Sequence, residues 1–329
     1  MYRKTQDIIH INIVFDSGGL GDLVGSLPCI NYIYQMHKHV VIHLWLPVYG
    51  IDLAKRSLPD DPNRIIIKSF LEKEKFRKDF FGRAFTVHKS TNLGYHTTKQ
   101  AYAVLINEEV EDKHLNYLPV RTDDIDISKF NLPEKYIILT TGFTAPVREF
   151  LPEYINEVVD YTKKKDYEVV FLGKKESPNG AGHVIKGNFK TEINYSAGID
   201  LIDKTTLPEA QKIMSQSKCV VGLDNGLLHL AATSEVPIVF SFTSVKPEHR
   251  LPYRHDTRGW NCYSVVPPES LACRFCQSNW QFTYYNDTPK KKQHDFKRCY
   301  YVERKEDFEI RCIKMLTPML YINELEKIL

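Results

Sequence analysis

A β-branched run, a glycine loop and an apolar-faced helix follow one another near the start of this chain, and the same succession returns past its midpoint. Ile8 to Phe15 reads as a buried strand, Gly18-Gly19-Leu20-Gly21 as a flexible turn, and Asp22 to Met36 as a helix. Strands are expected at Val40 to Leu46, stopped by Pro47, at Arg64 to Ile67 and at Ala84 to Val87, with a helix over Thr97 to Asn107. Short apolar strands alternating with helices bury both their faces only in an open parallel sheet covered by helices on each side. The fold class is therefore α/β.

Residues 119 to 133, with two prolines and three aspartates, interrupt the rhythm. It then restarts. Strands are expected at Tyr136 to Thr140, Glu168 to Leu172, Cys219 to Leu223 and Val236 to Phe242. Helices are expected at Pro152 to Lys164, Leu207 to Ser217, Leu227 to Thr233 and Pro318 to Leu329. With 329 residues the chain has room for two domains of ordinary size. We place them at 1–128 and 129–329. After about residue 245 the pattern dissolves into aromatic and polar residues, prolines and cysteines, which need something other than a sheet to order them.

Composition excludes several classes. Hydrophobic residues make up 43% and charged residues 26%, which rules out a disordered or fibrous chain. A formal charge of +3 does not by itself imply nucleic acid or an anionic membrane. The N-terminal residues carry no signal-peptide pattern, and no apolar run is long enough for a bilayer. The expected location is cytoplasmic, with contact at the inner membrane surface left open.

Both glycine loops sit where a strand feeds a helix, a place suited to anions and polar ligands. In the first, Asp22 is either a ligand-facing carboxylate or a helix cap. The second strand ends Leu44-Trp45-Leu46-Pro47 with no acidic residue for a ribose, and no Gly-Lys-Ser/Thr is present. Dinucleotide and Walker readings both fail. The second loop, Asp224-Asn225-Gly226-Leu227-Leu228-His229, places an acid, an amide, a glycine and an imidazole at one sheet edge, which favours a ligand site.

Four of the seven cysteines, Cys273, Cys276, Cys299 and Cys312, crowd into the last fifth of the chain. Four thiolates suffice for a closed tetrahedral metal site, with zinc and iron equally acceptable. The alternative is a set of unpaired thiols in an irregular tail.

Taken together these segments resemble glycosyltransferase family 9, the bacterial heptosyltransferases. GGLGDLVGSLPCINYI is similar to the family's N-terminal signature, KCVVGLDNGLLHLAATSEVPIVFSF to its donor-site signature, and TTGFTAPVREFLPEYINEVVDY, VVFLGKK and GIDLIDKTTLPEAQKIMSQSKC to the stretches between them. The cysteine tail is similar to that of bacterial autotransporter heptosyltransferases, in which four cysteines hold a metal, iron in the form associated with that group.

The resemblance implies a type-B glycosyltransferase fold, with two facing Rossmann-like domains. The N-terminal domain would bind the acceptor along the loop of Gly19 and Gly21, and the C-terminal domain a nucleotide-sugar, an ADP-sugar being favoured. Asp22 would be the general base of an inverting transfer. Arg148 would clamp the diphosphate, with Thr141, Gly142, Asn225, Gly226 and His229 donating further bonds. Asp224 would hold sugar hydroxyls, and Thr205 would line the nucleoside pocket. No catalytic divalent metal is implied, only structural zinc or iron at the four cysteines. The chain departs from the family at Phe150, where Trp is usual, at Asn225, where Ser or Thr is usual, and at Phe242-Thr243-Ser244, where a glycine-containing turn often follows the last strand.

Residues 68 to 89 hold seven Lys/Arg against three Asp/Glu, and residues 290 to 305 seven against two. Basic runs beside a cleft suit an anionic acceptor such as lipopolysaccharide core or a modified DNA base, whereas the tail points toward protein hydroxyls. A homo-oligomer is an open partner. The rival class is a non-catalytic nucleic-acid-binding protein with a zinc module, since Tyr284, Tyr285, Tyr300 and Tyr301 interleave the basic tail.

Overall fold

Ile9–Val14 (β1) ends in three buried residues, and Val40–Leu46 (β2) is buried at six of its seven positions. Near-continuous burial marks a parallel strand covered on both faces. With Ile65–Ser69 (β3) and Ala84–Thr86 (β4) they form a parallel sheet in the order β3–β2–β1–β4, in register through Ile13 opposite Leu44 and Ile42 opposite Ile65. The structure is a computed structural model and describes residues 8–15, 19–72, 84–86, 96–107, 109–141, 150–174, 177–178, 184–185, 193–271, 274–276, 278 and 311–329.

Helix α1 (Leu20–Met36) follows β1, and α3 (Thr97–Leu105) packs beside it. Between them lies α2 (Val48–Ser57), which the sequence pattern did not announce. Pro47, read as a strand stop, is also the N-cap of α2, where its missing N–H leaves no bond unmade.

The second sheet is built from Tyr136–Thr140 (β5), Glu168–Leu172 (β6), Ile199–Asp200 (β9), Val220–Leu223 (β10), Ile238–Ser241 (β11) and Cys262–Val265 (β14). Their order is β14–β11–β10–β5–β6–β9, every pair parallel. Two short antiparallel ladders accompany it, Ser177–Pro178 (β7) with Val184–Ile185 (β8), and Tyr253–Arg254 (β12) with Thr257–Arg258 (β13). The helices are α4 (Pro152–Lys164), α5 (Leu207–Ser215), α6 (Gly226–Ala231), α7 (Arg311–Lys314) and α8 (Pro318–Leu325). Helix α4 buries Ile155, Val158, Val159 and Thr162 at helical spacing, and α8 packs beside it with Tyr321 against Phe150.

The irregular reading of residues beyond 245 is corrected at β14, which joins the sheet beside β11. Four residues with two polar members carry too little periodicity to announce a strand. Arg254 secures this edge by donating to the carbonyls of Ser234, Val236, Trp260 and Asn261.

The connection between the sheets is tied to both. Arg56 of α2 holds Asp124 through two bonds of 2.7 and 3.0 Å, and Arg121 donates to the carbonyls of Lys55 and Leu58. From the other half, Lys212 of α5 reaches the Thr122 carbonyl at 3.0 Å and Glu209 pairs with Lys129. One apolar core runs through both sheets, from Ile13 and Leu27 past Tyr117 to Leu228 and Phe240.

Candidate active site

Strand order locates the site before any side chain is considered. In the second sheet the chain runs outward from β5 to β6 and β9, then returns to β10 and runs the other way, so the order reverses between β5 and β10. In the first sheet it reverses between β1 and β4. Crevices open at the carboxyl ends of strands flanking such reversals. The residues leaving β1, β5 and β10 are Gly19 to Asp22, Thr141, and Asp224 to His229, the segments singled out above.

The β5–β10 crevice depends on a glycine. A Cβ on Gly222 would lie 1.9 Å from Oγ1 of Thr140. Glycine leaves room for that hydroxyl, which accepts from Nδ2 of Asn225 at 3.3 Å. Asn225 in turn caps α6, its Oδ1 accepting from the N–H groups of Leu227 and Leu228 at 2.9 and 3.2 Å. Asn in the place usual for Ser or Thr therefore serves as a cap with a second bond to β5. Thr141 receives the Tyr195 hydroxyl at 3.4 Å, and Thr205 is half-buried just before the Thr206–Glu209 capping box of α5.

The starts of α1 and α6 meet. A Cβ on Gly21 would stand 2.7 Å from Cδ2 of His229, and one on Gly226 would stand 2.6 Å from Cβ of Leu20. Each glycine permits the other loop's approach, so Gly21, Asp22, Gly226 and His229 share one junction. Asp22 is half-buried there and accepts the Gly19 N–H at 2.9 Å through Oδ2. The capping reading of Asp22 is thus realised, and the same bond fixes the carboxylate at the junction. Tyr49 lies close by. It is 42% exposed, and partial burial, helped by the charge of Asp22, holds the phenol above its ordinary range.

A buried polar chain crosses the junction. Nδ1 of His229 is 2.9 Å from the Tyr117 hydroxyl, and Nε2 is 3.5 Å from Oδ1 of Asp224. Oδ2 of Asp224 is 3.6 Å from Nε of Arg250, whose Nη1 donates to Oγ1 of Thr97 on α3 at 2.6 Å. His229, Asp224, Arg250 and Tyr117 are all buried. Tyr117, Arg250 and Thr97 belong to no motif. Only their meeting in space gives them a role, across sequence separations of more than a hundred residues for Tyr117–His229 and Arg250–Thr97.

Gly142, Arg148, Cys273 and Cys299 lie outside the described residues, as do residues 73–83 and 87–89 of the first basic run and all of the second. Cys276 and Cys312 are half-buried, and no group of three or more metal-ligating side chains occurs among the described residues. Cys29 and Cys219 are buried, and burial pushes both thiols up, that of Cys219 to about 12. Among the described residues no helix is long and apolar enough to cross a membrane.

Comparison with known proteins agrees with this layout. The profile of glycosyltransferase family 9 (heptosyltransferase) matches residues 67–265. No curated protein matches the chain in sequence. Among solved structures, the chain is similar to the iron-containing dodecameric glycosyltransferase TibC of enterotoxigenic E. coli. Identity is 16% and the TM-score 0.71, over 99% of this chain and 77% of that one. TibC in complex with ADP-D-β-D-heptose gives 17% and 0.72, over 99% and 81%. A glycosyltransferase family 9 protein of Veillonella parvula gives 14% and 0.64, over 99% of each chain. These likenesses show a type-B glycosyltransferase fold. With the family profile matched over more than half its length, the chain belongs to glycosyltransferase family 9, the heptosyltransferases, and is a nucleotide-sugar-dependent glycosyltransferase.

Proposed function

We propose that the chain transfers heptose from ADP-heptose to a hydroxyl acceptor with inversion, and that the junction of α1 and α6 is where transfer takes place. One observation carries this reading: Asp22 of the first half stands at the same junction as Asp224 and His229 of the second, with Gly21 against the His229 ring. The choice of ADP-heptose is supported by the ligand of the TibC complex. Domains of 1–128 for the acceptor and 129–329 for the donor are supported by the two sheets, one on each side.

In the reaction Asp22 takes the acceptor hydroxyl's proton, and the oxygen attacks the anomeric carbon. The bond from that carbon to the diphosphate oxygen breaks, and the leaving group takes the electron pair. Negative charge growing on the diphosphate falls to Arg148, to Thr141 with the Gly142 backbone, and to His229. Two N–H groups at the start of α6 are already held by Asn225, which narrows what that helix can offer. Asp224, an acceptor, suits sugar hydroxyls. Thr205 suits the nucleoside.

Cys273, Cys276, Cys299 and Cys312 are assigned to a structural metal, supported by their donor chemistry and by the iron-containing description of TibC. The dodecameric state of TibC supports a homo-oligomer here as well. The nucleic-acid-binding alternative is not favoured, because it leaves the junction without a task.

Thermal-shift screening of ADP-, UDP-, GDP- and CDP-sugars fixes the donor. With that donor, Asp22→Asn is expected to lower transfer by about 10²–10⁴-fold while donor affinity stays within about twofold. Near-normal turnover in the variant would remove Asp22 as base.

A further inference from the structure

Tyr117 and Asp224 make opposite demands on the two nitrogens of His229. The carboxylate facing Nε2 at 3.5 Å can only accept, so it favours a proton on that nitrogen. The phenol facing Nδ1 at 2.9 Å can donate, which calls for a lone pair there. Burial holds the Tyr117 phenol well above its ordinary range, so it keeps its hydrogen at any working pH. The Thr98 hydroxyl also neighbours the phenol, and it can donate to the phenolic oxygen while that oxygen's own hydrogen goes to Nδ1. Phe240 meets the ring edge-on at 5.5 Å, Gly21 lies against Cδ2, and Arg250 shares the charge of Asp224 from its other oxygen at 3.6 Å.

We propose that Tyr117 is a positioning residue for the transfer: its O–H donates to Nδ1 of His229 and so keeps the imidazole proton on Nε2, facing the donor side. The ring then offers one N–H of fixed direction, which is the state needed to bond an incoming diphosphate. Tyr117 is itself fixed from the second half, since its backbone N–H donates to the Tyr253 carbonyl at 2.9 Å. The phenol therefore connects the segment between the sheets with the donor signature. This inference rests on the reading of His229 as a diphosphate ligand, but its central claim concerns the tautomer and can be read without any ligand.

The test uses the full chain labelled with 15N-histidine, and ADP as probe. In the wild type, long-range proton–nitrogen spectra should place His229 Nε2 in the protonated range and Nδ1 in the lone-pair range, the signals being assigned by their loss in His229→Gln. In Tyr117→Phe, which removes one oxygen, the two nitrogen shifts should move toward each other as the tautomers mix. ADP affinity by calorimetry should fall about tenfold, the worth of one well-placed hydrogen bond. A wild-type ring protonated on Nδ1 overturns the proposal at once, even if the variant does not fold. Unchanged ring shifts in a folded Tyr117→Phe protein, with ADP bound as in the wild type, overturn it too. If the wild type does not bind ADP while the ring shifts respond as stated, the diphosphate reading fails and the tautomer control by Tyr117 stands.

Discussion

Consider Gly21 replaced by alanine. Gly21 is the second residue of α1 and is already helical, so the methyl group favours the local backbone by roughly 1 kcal/mol. The same methyl would lie 2.7 Å from Cδ2 of His229 and 3.3 Å from its Cγ. Carbons in ordinary contact stand about 3.5–4.0 Å apart, so the loops must separate, or the ring must turn, by about 0.8 Å. Turning the ring draws Nδ1 off the Tyr117 hydroxyl, and separation carries Asp22 away from the donor side by the same distance. Overpacking of this kind costs about 1–3 kcal/mol, so helix preference offsets part of it and the net loss of stability is at most about 2 kcal/mol. At about 2–4 °C per kcal/mol, the melting temperature should fall by no more than about 8 °C. Rate is far more sensitive, since a misplacement near 1 Å costs on the order of 10²-fold. Initial rates of nucleoside diphosphate release from the nucleotide-sugar that the wild type uses, with any acceptor it turns over, are the assay, alongside a melting curve. A folded Gly21→Ala protein with wild-type kcat/KM would refute the close junction of the two loops as the working geometry.

Two further predictions use other parts of the molecule. His96 is buried, with Nδ1 accepting from Thr98 N–H and Nε2 donating to the Leu251 carbonyl, and burial pushes its imidazole down to about 3. The unfolded chain takes up a proton below its ordinary value of about 6.5 and the folded chain does not, so stability is full above that pH and is lost below it, by about 2 kcal/mol at pH 5. Urea titrations should show this slope reduced by about one proton in His96→Asn, which keeps the cap to Thr98; an unchanged slope would count against it. Elemental analysis should find about one zinc or iron per chain, lost in Cys276→Ser. Metal-free wild-type protein with Cys273, Cys276, Cys299 and Cys312 all open to thiol reagents would remove the site.

Strands β2, β5 and β6 and helix α4 begin and end where the sequence pattern puts them, because each is a single apolar or amphipathic run between clear stops. Helix α2 was hidden by Pro47, which ends one element and begins another. Strands β9 and β14 are too short and too polar for periodicity and exist because a sheet edge was there to receive them. The site divides in the same way. Asp22, Asp224, Asn225, Gly226 and His229 were legible because each lies in a local strand-to-helix loop. Tyr117 and Arg250 were not, since their meaning is a contact between distant segments and neither carries a local signal.

Arg121 and Thr122 are neighbours in the chain, yet Arg121 is held by the carbonyls ending α2 and Thr122 by Lys212 of α5. One residue's reach, about 3.6 Å at most, separates these two anchors along the backbone. The halves therefore cannot drift apart on a tether. Further bonds join the halves elsewhere, from the Tyr117 N–H to the Tyr253 carbonyl and from Arg250 to Thr97, so any parting of the halves has to break these as well. The two halves consequently meet at a separation set by these bonds and not by a free linker.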